Sequence, residues 1–312
     1  MSNYARLNYY SNVTPLKIKW LWYPYIAFGK LTMIQGDPGS GKTTLSLILA
    51  ASLSKGENEF HIDGLDTKEV INVIYQTAED GIEDTIKPKL DRLMADCTHI
   101  SYITNDDYIN LENDSIENII KNKNIKLLIL DPIQSFLGKG KSLQQVSDIR
   151  PLMKNLSKIA QKTGCAIVLI GHLNKTERSK DLYRGLGSVD LTAIARSIIF
   201  VRKLDENNNI RIITQIKNSL EKEGDSLAFK IEKNGNILWL GHYEIDDFEI
   251  NDKDNSTIAK DILINMLADG MKPLSEIQKQ TDSYISRRTL FRIKKELDIK
   301  TVYENKICYW KI

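Results

Sequence analysis

Gly36-Asp37-Pro38-Gly39-Ser40-Gly41-Lys42-Thr43 follows the pattern G-x-x-x-x-G-K-[ST], between the apolar run LTMIQ at 31–35 and the helical stretch TLSLILAASLS at 44–54. Strand, glycine-rich turn and helix in that order are what a phosphate-cradling loop requires. The glycines let successive backbone N–H groups turn inward, and the helix N-terminus adds partial positive charge. Lys42 can reach the β- and γ-phosphates of a nucleotide, and Thr43 can offer its hydroxyl to Mg²⁺. The candidate nucleotide contacts are Gly36, Asp37, Pro38, Gly39, Ser40, Gly41, Lys42, Thr43 and Thr44. A chance glycine-rich turn is the alternative, and the flanks on both sides argue against it.

Outward from the loop, short β-branched runs alternate with longer helical patterns. VINVIYQ at 70–76, KLLIL at 126–130 and CAIVLIG at 165–171 read as strands, while VSDIRPLMKNLSKIAQKT at 146–163 repeats apolar residues at helical intervals. The succession predicts βαβ units around a mostly parallel central sheet, an α/β fold. After Ala195 the rhythm changes: SIIFVRK, NIRIITQIK, LAFKIE and NILWLG read as late antiparallel strands joined by Asn-, Gly- and Glu-rich turns.

A nucleotide site of this kind needs a carboxylate to anchor hydrated magnesium at the end of a neighbouring strand. Asp131 directly follows four apolar strand residues and fills that place, with a helix N-cap or turn role as its alternative. Hydrolysis also needs a carboxylate to orient and deprotonate water. Glu79 follows the strand at 70–76 and can stand at the sheet's carboxyl edge, with Asp80 as its competitor.

Composition limits the remaining classes. Of 312 residues, 42% are hydrophobic and 27% charged, and no run approaches the roughly 18 apolar residues of a membrane span. The start, MSNYARLNYY, is not a secretory signal, so a cytosolic protein is expected. Cys97, Cys165 and Cys308 are odd in number and far apart, which argues against a disulfide framework or a Cys-x-x-Cys metal knuckle. Lys and Arg exceed Asp and Glu only by 43 to 41, so any polyanion partner has to be argued locally.

The chain divides into an N-terminal arm at 1–16, a core at 17–242, an acidic linker at 243–255 and a small domain at 256–312. The linker holds six acidic residues against one lysine, and the small domain 11 Lys and Arg against 7 Asp and Glu. Helical patterns at 257–268, around 274–280 and at 284–297, followed by a hairpin at Glu304-Asn305, have the organisation of a winged helix-turn-helix. Arg287, Arg288 and Arg292, with Lys294 and Lys295, make a basic face on its third helix, suited to a nucleic-acid groove. A solvated helix in a protein-docking module is the alternative.

The ordered set GDPGSGKTT, YQTAED, LLILDPIQ, IGHLNK, YRGLGS and QIKNS resembles the RecA-like ATPases of the DnaB/RepA hexameric helicase type, over roughly residues 17–242. The RepA-type group found on plasmids, phages and integrated elements is the nearest likeness. The resemblance implies ATP with Mg²⁺, a homo-oligomer in a ring or open spiral, hexameric in such helicases, and ATP-driven translocation on single-stranded DNA. It assigns water activation to Glu79 and γ-phosphate sensing to His172. It also implies Lys217 as a finger supplied by an adjoining subunit from a late strand bearing Lys-x-Arg. Ser219 stands where the arginine of that pair would be, and either Arg202 or Arg211 could compensate.

In such rings, two loops meet the nucleic acid in the central channel. Here they would be 134–145, with Lys139 and Lys141, and 174–188, with Lys175, Arg178, Lys180 and Arg184, the backbone approaching at Gly185 and Gly187. Both are basic, glycine-bearing and poor in apolar residues, as phosphate-contacting loops are, although solvated loops share that composition. Duplex DNA could be met through the C-terminal domain. The reading expected from the sequence is a motor for replication of a mobile element, with an ATP-gated initiator, loader or regulator, or a recombinase-like filament, as alternatives.

Overall fold

The computed structural model describes residues 7–104, 115–137, 145–172, 193–204, 209–243, 260, 262–268, 270–281, 287–304 and 307–311. The chain forms two compact units, Met1–Tyr243 and Glu244–Ile312.

In the first unit a two-stranded antiparallel ribbon, β1 (Trp20–Trp22) and β2 (Ile26–Ala27), precedes the main sheet. There follow β3 (Leu31–Gly36), α1 (Lys42–Lys55), β4 (Asn72–Thr77), α2 (Lys87–Arg92), β5 (Ile100–Ser101), α3 (Ser115–Asn122), β6 (Ile125–Asp131), α4 (Val146–Thr163) and β7 (Ala166–His172). The late strands are β8 (Ser197–Lys203), β9 (Ile210–Asn218), β10 (Leu227–Ile231) and β11 (Ile237–His242). The nine-stranded sheet runs β11-β10-β9-β8-β3-β7-β6-β4-β5.

Strands from β5 to β8 are parallel, and β9, β10 and β11 are antiparallel. The structure corrects one expectation. The run SIIFVRK does not start the antiparallel set, because β8 pairs in parallel with β3, Thr32 opposite Ser197 and Gln35 opposite Phe200. The chain between β7 and β8 is longer than the dozen or so residues that a parallel crossover needs, whereas β8 to β9 is a short reversal.

Alternation along the strands serves both faces. Leu127 and Ile129 of β6 pack with Leu45, Ile48 and Leu49 of α1 on one face, and Leu128 and Leu130 pack with α3 and α4 residues such as Ile120, Met153 and Leu156 on the other. Burial on both faces explains why these strands read as continuous apolar runs. The carboxyl ends of β3, β4, β6 and β7 therefore lie along one edge, and the loops that leave them carry the site.

The second unit has a helical segment at residues 262–268, β12 (Lys272–Pro273), α5 (Leu274–Thr281), α6 (Arg287–Glu296), β13 (Lys300–Glu304) and β14 (Ile307–Lys311). Its sheet order is β12-β14-β13. Leu263, Leu267, Ile277, Leu290, Ile293, Ile299 and Trp310 form its core. Phe291 meets Trp310 edge-on at 5.4 Å between ring centroids. Among the described residues, no helix is long and apolar enough to cross a membrane.

Candidate active site

β3 ends at Gly36 and α1 starts at Lys42, so the five residues between them turn at the carboxyl edge of the sheet. Two glycines are dictated by space. A Cβ at Gly36 would lie 2.0 Å from the carbonyl oxygen of Val201 on β8, and one at Gly41, whose φ is +101°, would lie 3.1 Å from Arg211 Cγ. Asp37, Pro38 and Gly39 form an exposed rim, while Ser40 and Lys42 are buried. Lys42 Nζ donates 2.8 Å hydrogen bonds to the carbonyl oxygens of Gly36 and Asp37, so the ammonium sits inside the loop. Burial lowers its pKa, opposed by the charges of Asp131, Asp37 and Glu79.

From two strands away, Asp131 reaches the same place. Its Oδ2 accepts from Thr43 Oγ1 at 2.7 Å and from the Tyr75 hydroxyl at 2.6 Å. Burial, and next the carboxylate of Asp131, hold the Tyr75 phenol well above its ordinary pKa, so it stays a neutral donor. Among the described residues no group of three or more His, Cys, Asp or Glu could hold a metal ion. Thr43 and Asp131 do fit Mg²⁺, which is commonly bound by one or two protein oxygens with water and substrate phosphates completing its shell.

The turn after β4 is tied to β6 by Ala78 N–H, which donates to the Asp131 carbonyl at 3.1 Å. Glu79 follows, exposed, and its charge acts on Lys42. Its competitor Asp80 has its carboxylate 3.5 Å from Lys89 Nζ and its N–H donating to Thr77 Oγ1, and its charge acts on Tyr75. His172 ends β7 with its backbone in register with Gly36. Thr44 borders a cavity of about 170 Å³ with Arg92, Ile231 and Ile237 among its walls.

Lys217 lies away from this cluster. It pairs with Ile198, which pairs with Met33, three residues short of Gly36 and therefore about 10 Å down the sheet. Its Nζ donates to the Ala195 carbonyl at 2.9 Å, and burial together with Arg196 lowers its pKa. Arg211, the candidate substitute finger, is only 8% exposed and covers Gly41 of its own chain.

In the second unit, Leu290 and Ile293 of α6 face the core while Arg287 and Arg292 are exposed. Arg287 lies over the Phe291 ring and Arg292 Nε is 3.7 Å from Glu296. Arg288 occupies the same helix. Lys139, Lys141, Lys175, Arg178, Lys180, Arg184, Gly185 and Gly187 lie outside the described residues.

One contact escapes sequence reading: Tyr75 sits in an apolar strand run where nothing in the spacing marks its hydroxyl. Arg211, expected as a possible substitute finger, packs on the loop of its own chain, a placement set by the direction of β9.

A parallel sheet with a phosphate-cradling loop after β3 and an acid at the end of β6 defines a P-loop ATPase domain of RecA-like type. The sequence matches the AAA domain family, AAA_25, over residues 8–178, and the chain belongs to that family. It is 27% identical over 227 residues to the DNA repair protein RadA of Rickettsia prowazekii, covering 70% of this chain and 44% of that protein. It is 26% identical over 232 residues to the DNA repair and recombination protein RadB of Methanobrevibacter smithii, covering 67% and 88%. The chain spans about half the length of the RadA relatives it matches, from 40% to 53%. Among solved structures, an ATPase domain superposes with a TM-score of 0.52 at 17% identity, covering 69% of this chain and 85% of that one, a likeness of fold.

Proposed function

We propose that the protein is an oligomeric ATP-hydrolysing motor that acts on single-stranded DNA, a replicative helicase of a plasmid, phage or integrated element. The observation that carries the reading is the convergence on one loop of Lys42, Thr43, Asp131 and Glu79, while Lys217 stands on a reversed strand away from its own loop. In this reading Lys42 leaves its two carbonyl partners for the β- and γ-phosphates. Thr43 and Asp131 hold Mg²⁺, which supplies charge neutralisation on the phosphate oxygens. Glu79 orients the attacking water and takes its proton, and His172 reports the γ-phosphate to the loop that follows β7. Lys217 completes a neighbour's site, which makes hydrolysis depend on a ring, hexameric by resemblance, or on an open spiral.

The loops at 134–145 and 174–188 would carry the strand through Lys139, Lys141, Lys175, Arg178 and Arg184, with backbone contact at Gly185 and Gly187. The second unit is read as a winged-helix domain, with Arg287, Arg288 and Arg292 directed at DNA or at a protein. ATP-dependent separation of a forked duplex with one single-stranded arm tests the motor, with the Lys42→Ala variant as control. The names of the RadA and RadB relatives favour a second reading, an ATP-gated repair or recombination protein. ATP hydrolysis with joint-molecule formation and no unwinding would select it.

A further inference from the structure

β9 is antiparallel to β8, so its first residues rise at the edge that carries the phosphate loop, with Arg211 opposite Lys203. The Arg211 side chain lies lengthwise over Gly41: a Cβ there would be 3.1 Å from its Cγ, 3.2 Å from Cδ and 3.3 Å from Nε. Although Arg211 is buried, its Nε has no hydrogen-bond partner among the described residues. Among the described residues Nη1 reaches the carbonyl oxygen of Ile210, at 3.4 Å. Burial lowers its pKa, and among the described residues no carboxylate opposes that shift. In the loop itself Ser40 Oγ, next in sequence to Gly41, is likewise buried without a partner among the described residues.

Burying a guanidinium without a carboxylate is costly, and such groups persist where something else supplies the negative charge. A phosphate held in the loop would supply it. We propose that Arg211 contacts the nucleotide from the same chain, its guanidinium donating to the phosphate chain held by residues 36–43. The assignment rests on reading that loop as an ATP site. Arg211 approaches from the β8–β9 side, whereas Asp131 and Glu79 stand on the β6–β4 side. The contact therefore falls on phosphates that remain in ADP, and it strengthens substrate and product binding alike. Arg211 is in this respect unlike Lys217, whose strand position suits it to a neighbouring site.

The test compares the full-length wild type with Arg211→Gln and Arg211→Met, measuring MgADP and MgATP affinity, steady-state ATPase and nucleotide-free melting. Both variants should bind ADP and ATP roughly 10- to 100-fold more weakly, the scale of one charge-assisted hydrogen bond. KM should rise with little change in kcat, and the nucleotide-free melting temperature should hold or rise because an uncompensated buried charge is gone. Unchanged ADP affinity in either folded variant overturns the contact. So does an affinity that merely follows a lowered melting temperature in both, including Arg211→Met, which keeps an apolar stem over Gly41. Failure of the wild type itself to bind either nucleotide would overturn the ATP-site reading instead.

Discussion

Thr43 Oγ1 and Asp131 Oδ2 are joined by a 2.7 Å hydrogen bond that links residues 88 positions apart in the chain. One comes from the first turn of α1 and the other from the end of β6, so their meeting requires the parallel order β3-β7-β6. Tyr75, from β4, closes on the same carboxylate oxygen. Three elements are thereby fixed around the place where the metal-bound phosphate would lie.

Asp131→Ala should therefore affect the fold before it affects chemistry. It leaves the buried Tyr75 hydroxyl and the Thr43 hydroxyl without their acceptor, a loss of about 1–3 kcal/mol for each buried donor that finds no other partner. Urea unfolding without nucleotide measures it. An unfolding free energy equal to that of the wild type would show that the hydrogen bonds do not hold the site together.

Glu79→Gln should leave ATP binding largely intact and slow turnover by at least ~100-fold, the scale of losing a general base. The two acids differ in surroundings, since Glu79 acts on Lys42 whereas Asp80 is next to Lys89. If Asp80→Asn traps bound ATP and Glu79→Gln does not, the base is Asp80.

Much of the core could be read from the sequence because strands buried on both faces are written as uninterrupted apolar runs. LTMIQ, VINVIYQ, KLLIL and CAIVLIG correspond to β3, β4, β6 and β7. Thr43 and Asp131, singled out from separate segments, are hydrogen-bonded in the structure. The direction of β8 was not legible, because SIIFVRK shows a strand but not the partner across which it pairs. Arg211 could be singled out as a possible finger, but its place at the phosphate loop of its own chain was obscured for the same reason: only the reversal of β9 sets it and Lys217 at different heights on the sheet. The role of Tyr75 was not legible because its acceptor, Asp131, lies 56 positions away on another strand.

Hydrolysis should need two subunits at each site. Lys217→Ala is expected to abolish turnover while sparing ATP binding, and mixing it with Lys42→Ala subunits should restore some activity, since each supplies what the other lacks. Specific ATPase activity independent of protein concentration, in a protein that stays monomeric with ATP and DNA, contradicts this.

Arg184→Ala should weaken binding to homopolymer single strands about equally for every sequence. The slope of log affinity against log salt should fall by roughly 0.7, the counterion share of one single-strand phosphate. Basal ATPase should persist while its stimulation by DNA declines. A lowered melting temperature with an unaltered slope would assign Arg184 to the fold and remove the loop at 174–188 from the DNA path.

The most direct test is the steady-state ATPase of purified wild type and Lys42→Ala, each with and without single-stranded DNA. Lys42 is the buried cation at the centre of the loop, and its removal deletes the charge that faces the transferring phosphate. The wild type should hydrolyse ATP faster when single-stranded DNA is added, and the variant should remain at background in both conditions. Undiminished hydrolysis by Lys42→Ala, or a wild type indifferent to single-stranded DNA, would contradict an ATP-driven motor working from this loop.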